Sequence, residues 1–180
     1  MNTTTSSIFA NVGAAKVARK KDQYFTDGDY IAEVQDVKIT LSTKPGSVGQ
    51  RLIFVQFSIL EVTKDKGTWT NSKGEEVSSA APGDLCTFCI KLSWRNWEQT
   101  WKNFLCSAAN FTESQAAAIP DEQWTEFAEK ACYHLGDEVE AFDASEWAEQ
   151  PLKGAQVKVY ANTIKTDQGY DFTKLIFEAV

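Results

Sequence analysis

Flat aromatic rings and ammonium groups take turns along several stretches of this chain that read as β-strands. With a period of two, one side chain faces a core and the next faces away. In residues 51–63, Ile53, Val55, Phe57 and Ile59 fall on one side, which leaves Phe54 as the odd apolar residue on the other. The same parity turns Lys91 outward from the core residues Cys86, Phe88, Ile90 and Leu92, and turns Lys158 and Tyr160 away from Val157 and Val159. Near the end of the chain, Tyr170, Phe172 and Lys174 face away from Leu175 and Phe177, and Lys38 joins the outward set from the first strand. Unpaired bases stack on such rings for roughly 1–3 kcal/mol each, while ammonium groups follow the phosphates. The competing reading is a second small core, with these rings lying beneath a loop or a helix.

Two loops carry further candidates. The turn-rich segment Thr43–Gln50 contains Lys44 and leads into Arg51. The longer Lys64–Pro82 segment sets a lone Trp69 among polar residues with Lys64, Lys66 and Lys73. Trp69 is either an exposed stacking platform or a ring packed back on the sheet. Loops of this kind are where binding proteins vary their contacts.

The elements that must position these residues follow a simple order. Alternating runs at Gly28–Leu41, Arg51–Thr63 and Asp84–Ser93 precede a helical stretch, Trp94–Trp147, and two more strands close the chain at Gly154–Thr166 and Gly169–Val180. In the first strand, Tyr30, Ala32 and Val34 give way to Val37, Ile39 and Leu41 on the opposite parity, which predicts a bulge near Gln35 or Asp36. Within the helical stretch, Trp94, Trp97, Trp101, Phe104, Leu105 and Ala108 form one stripe, a core face over 94–109. Thr112 and Gln115 have the spacing of a capping box, and Pro120 followed by Asp121 and Glu122 suits the start of another helix. The order β-β-β-α-β-β is that of a mainly β fold with an α insertion. It fits a five-stranded OB-like Greek-key barrel with helices between strands 3 and 4. The expected organisation is a basic N-terminal arm over 1–27 and one domain over 28–180, with the helical insertion at 94–150.

Composition narrows the function classes. At 180 residues the chain fits one domain, and its apolar runs are too short to span a membrane. The first fifteen residues lack the charged and apolar regions of a signal peptide. Cys86, Cys89, Cys106 and Cys132 sit in apolar segments, which suits free thiols in a reducing, cytoplasmic setting. A formal charge of -7 opposes polyanion binding, but it is unevenly distributed. Residues 113–150 hold eleven acids against one base, leaving seventeen bases and fourteen acids elsewhere. A mildly basic sheet and an acidic helical exterior would hold a polyanion on one side and repel it from the other. Lys16, Arg19, Lys20 and Lys21 occur in an N-terminal stretch without an acid.

No catalytic constellation is present. The one histidine, His134, has no evident partner, and neither a phosphate-cradling loop nor a nucleophile elbow occurs. Cys86 and Cys89 suggest a zinc pair, with Cys132 and His134 as further ligands, but residues three apart on a strand point to opposite faces. No enzyme activity and no cofactor are expected.

The run Ser7–Gly13, the strand entry Gly28-Asp29-Tyr30 and the Val55–Glu61 segment resemble bacteriophage single-stranded-DNA-binding proteins of OB fold. So do Pro82-Gly83, Trp101–Leu105, Leu152–Gly154 and Asp171–Lys174. The resemblance implies sequence-independent binding and protection of single-stranded DNA during phage replication or recombination. It also implies replication or recombination proteins as partners. Bacterial versions usually end in an acidic recruiting tail, whereas this chain ends Ile176–Val180 in strand-like sequence, so recruitment would move to the acidic helices within 113–150. The alternative is an adaptor or virion component that uses the barrel as a scaffold. Oligomeric state is open.

Overall fold

The computed structural model of the chain describes residues 23–43, 45–131, 133–134 and 152–180. The chain runs through β1 (Gln23–Tyr24), β2 (Gly28–Leu41), β3 (Arg51–Asp65), β4 (Thr68–Thr70), β5 (Glu76–Ser78) and β6 (Leu85–Lys91). There follow α1 (Trp97–Ala108), α2 (Glu113–Ala118), α3 (Asp121–Ala131), β7 (Tyr133–His134), β8 (Gln156–Lys165) and β9 (Asp171–Ala179).

One sheet takes the order β1-β6-β3-β2-β8-β9, with β7 paired to β2, and β4 and β5 form a separate hairpin. The sheet is strongly curled. Laid flat, β6 and β9 would stand about 19 Å apart, four strand spacings of roughly 4.8 Å. Instead Phe88 of β6 and Phe177 of β9 have ring centroids 5.0 Å apart. Bulges supply part of the bend. The β2–β3 register shifts at three places, and between Val34 and Asp36 the extra residue is Gln35. That shift switches the parity of β2, so Tyr30, Ala32 and Val34 and then Val37 all reach the core. Leu41, expected to follow Val37 inward, is instead 44% exposed, because β2 ends there at the turn into β3.

The concave side is a core of rings and β-branched residues. Phe57, Phe104 and Phe177 meet within 6 Å of one another, and Trp101 stacks on Phe104 at 5.3 Å. Burying each large side chain of this kind contributes about 1.5–3 kcal/mol. Helix α1 closes the space between β6 and β9, and Ser107 Oγ donates to the Phe177 carbonyl at 2.9 Å. The stripe that positions α1 begins one turn later than the sequence predicts. Trp94 lies in a turn before the helix and is 38% exposed, while Trp97 is half-buried and Trp101, Phe104 and Leu105 are buried.

The capping box at α2 forms in both directions, with Gln115 N–H donating to Thr112 Oγ1 and Thr112 N–H donating to Gln115 Oε1. Trp124 of α3 packs with Phe111 and Phe127, and its indole N–H donates to the Ala116 carbonyl. The helical insertion does not run on without a break. At Tyr133–His134 the chain returns to the sheet as a strand parallel to β2, and residues 135–151 lie outside the described residues.

At the other end, Gln23–Tyr24 and Phe25 are already part of the sheet and core, although this stretch reads as an arm. Tyr30 holds the entry to β2. Its buried hydroxyl lies 2.9 and 3.1 Å from the Thr26 and Asp27 carbonyls and accepts from Ala80 N–H. A Cβ at Gly28 would fall 2.5 Å from that hydroxyl oxygen, so the ring needs a glycine beneath it.

Candidate nucleic-acid interface

The outward residues sort into two groups through the register. Across β2, β3 and β6, Lys38 pairs with Phe54 and Phe54 with Cys89. In the next row Thr40 pairs with Leu52 and Leu52 with Lys91, and Leu41 and Arg51 close the strands. The Lys38 Nζ lies 5.1 Å from the Phe54 ring centroid, within cation–π range. It also lies 3.2 Å from Asp36 Oδ2, a carboxylate that the bulge buries to 3% exposure. From residue 37 to residue 60 the sequence has no acid, and β6 has none either.

Tyr24 belongs to this group and escaped the sequence reading. It pairs with Thr87 at the edge of β6 and is 66% exposed. Thr87 lies one row along β6 from Cys89, the partner of Phe54, and partial burial and then the neighbouring Cys89 push the Tyr24 phenol above the usual range. A two-residue strand has no period to detect. The available signal was a tyrosine three positions after the basic run Lys16–Lys21.

The second group covers β8 and β9. Ile164 pairs with Phe172, Asn162 with Lys174, Tyr160 with Ile176, and Lys158 with Glu178. Ile164, Phe172 and Ile176 are each close to half exposed, and Tyr170 in the turn is 68% exposed. Tyr160 donates to Glu178 Oε2 at 2.9 Å, and this acceptor raises its phenol pKa. Carboxylates surround the patch, since Asp29 pairs with Tyr160 and Ile31 pairs with both Glu61 and Lys158. The two groups are therefore separate faces, divided by the acids of the first half of β2.

Trp69 is half-buried opposite Val77 in the β4–β5 hairpin, where a long polar loop was expected. Lys66 Nζ donates to Asn162 Oδ1 and Ser72 N–H donates to Asp171 Oδ2, both at 2.7 Å, so the hairpin is tied to β8 and β9. Hydrogen bonds from Ser72 hold the Asp171 carboxyl below the usual range. Lys44 lies outside the described residues.

Cys86 is buried toward the core and Cys89 faces outward, on opposite sides of β6. Burial pushes the Cys86 thiol up to about 12, so it stays protonated. Among the described residues no group of His, Cys, Asp and Glu could hold a metal ion, and no helix is long and apolar enough to cross a membrane. A cleft of about 730 Å³ lies between α1, α2 and β9, with Thr100, Asn103, Cys106, Phe111 and Leu175 among its walls. Compared with known proteins, no family model matches the chain and no curated protein matches it significantly.

Proposed function

We propose that this chain binds single-stranded DNA without sequence preference, on the outer face of β2, β3 and β6 of an OB-like barrel. The order β6-β3-β2-β8-β9 supports the barrel reading, since it joins five long strands around one core as a Greek-key barrel requires. The observation that carries the function is the row of Lys38, Phe54 and Cys89, with Lys91 in the row on one side and Tyr24 paired to Thr87 in the row on the other. Tyr24 offers an exposed ring and Phe54 a half-buried one beneath the Lys38 ammonium, Lys91 offers a partner for phosphate, and the acid beside Lys38, Asp36, is already neutralised by it. The acidic exterior of α2 and α3, with Glu113, Asp121 and Glu122 exposed, keeps the polyanion to this side and suits a basic partner protein. Coating of this kind during phage replication or recombination needs neither catalysis nor cofactor, and it works in the cytoplasm of the host.

Fluorescence anisotropy of a labelled oligo-dT, titrated at several salt concentrations, tests the reading. Log affinity should fall linearly with log salt, by about 0.7 for each phosphate neutralised. Phe54→Ala should weaken binding roughly 5- to 150-fold, the equivalent of about 1–3 kcal/mol of stacking. A duplex of equal length should compete poorly. No binding at low salt, or equal binding of duplex, would overturn the proposal.

A further inference from the structure

The sheet ends at β9, and two hydrogen bonds fix which way the backbone groups of that strand point. Thr166 N–H donates to the Tyr170 carbonyl at 2.9 Å, so Tyr170 turns its peptide groups toward the neighbouring strand. The β8–β9 register then runs without a shift from Lys165 and Asp171 to Val157 and Ala179. By period two, Phe172, Lys174, Ile176 and Glu178 bond to β8, while Thr173, Leu175 and Phe177 turn their N–H and C=O groups to the free edge. The Phe177 carbonyl agrees, because it accepts from Ser107 Oγ of α1 at 2.9 Å. A free edge of this kind is a template for another strand.

At Leu175 the edge opens into the cleft between α1, α2 and β9, whose volume of about 730 Å³ falls in the range of roughly 300–1,000 Å³ common to ligand sites. Among the described residues no hydrogen bond reaches the Leu175 backbone from that side. An extended peptide presents N–H and C=O groups to one edge every second residue, about 6.8 Å apart, which is the spacing along β9. Laid antiparallel to β9, its residue opposite Leu175 turns its side chain to the same side. There Phe111, Ala116 and Leu175 pack against the core and line the cleft, which suits an aliphatic group. The peptide residues before and after it face outward with Lys174, which suits an acid. The charged residues of the cleft are Lys102 and Lys174 against Glu113, a positive balance. On the α1 wall the Gln99 amide donates to Asn103 Oδ1 at 2.7 Å, which leaves the Gln99 oxygen and the Asn103 NH2 group for the far edge of such a strand.

We propose that the cleft beside β9 is a strand-addition site, which takes an extended segment of a partner protein, alternately acidic and aliphatic, as an antiparallel neighbour of β9.

Anisotropy of a fluorescent, end-capped hexapeptide of alternating aspartate and valine, titrated with the full chain, provides the test. Binding should saturate below about 1 mM. Methylating the valine amide nitrogens, which point at β9 in this arrangement, should weaken it roughly 2- to 13-fold for each hydrogen bond lost. Lys174→Glu should also weaken it. Ala117 is an exposed residue on the α2 wall, so Ala117→Trp fills the cleft without entering the core, and it should abolish peptide binding while oligo-dT affinity stays unchanged. No saturation by the wild-type chain, full binding of the methylated peptide, or full binding by Ala117→Trp would overturn the proposal. So would an Ala117→Trp chain that loses oligo-dT affinity, since that result gives the cleft to nucleic acid. Phe54→Ala should bind the peptide as the wild type does, so failure on one face leaves the other standing.

Discussion

The face over β2, β3 and β6 and the face over β8 and β9 obey the same alternation, and each combines aromatic rings with lysines. They differ in what surrounds those groups. On the first, Phe54 sits between Lys38 and the row of Lys91, with Tyr24 one row the other way, and the acid beside Lys38, Asp36, is buried against it. On the second, Phe172 and Tyr160 sit beside Ile164 and Ile176, with Glu178, Asp29 and Glu61 close to the lysines. Counting rings and bases treats the two alike. The placement of carboxylates and aliphatic residues separates them, because phosphates tolerate neither a neighbouring acid nor the loss of a counterion partner.

The largest test of that contrast concerns Lys38. Its partner Asp36 is buried, so Lys38→Met strands a carboxylate without compensation, which should cost about 2 kcal/mol once the partial exposure of Lys38 is allowed for. Asp36→Asn combined with Lys38→Met should recover most of the loss. Lys158→Met on the other face leaves no buried carboxylate behind, since its cross-strand neighbour Glu178 is exposed, and should change stability by less than about 0.5 kcal/mol. Urea denaturation midpoints measure all three chains. Equal tolerance of Lys38→Met and Lys158→Met would erase the distinction between a lysine paired with a buried carboxylate and one beside an exposed carboxylate.

Much of the frame was legible because strand parity is a local property. The five long strands, the bulge at Gln35 and the capping box at Thr112 all lie in short windows whose pattern the fold preserves. The start of α1 was not legible. Trp94 has the spacing of the stripe, but turns at 91–96 consume one helical turn before Trp97. The β4–β5 hairpin was hidden by polar composition, since its strands of three residues are tied down through Asn162 and Asp171, almost a hundred positions away. The same holds for the division of the site. Which outward residues share a face depends on the order β6-β3-β2-β8-β9, and no window contains that order.

A smaller effect separates the lysines by their role toward phosphate. Lys91→Gln should reduce the salt slope of oligo-dT binding by about 0.7, one phosphate's share. Lys174→Gln should leave the slope unchanged. If the two substitutions flatten the slope equally, both faces touch the strand and the contrast fails.

The finest test uses two tyrosines whose phenols are raised for different reasons. Tyr24 is raised chiefly by partial burial, and Tyr160 chiefly by the hydrogen bond to Glu178. A phenol with a raised folded pKa favours its protonated form in the native state. Its contribution is therefore complete below the ordinary phenol pKa of about 10 and disappears as pH rises through the folded value. In Glu178→Gln, the near-ultraviolet phenolate titration of Tyr160 should fall back toward the ordinary range while Tyr24 stays raised. Added oligo-dT should act the other way round, because a strand lying over the first face brings negative charge beside Tyr24 and raises it further, with Tyr160 unmoved. A shift confined to Tyr160 on adding the oligonucleotide would exchange the roles of the two faces.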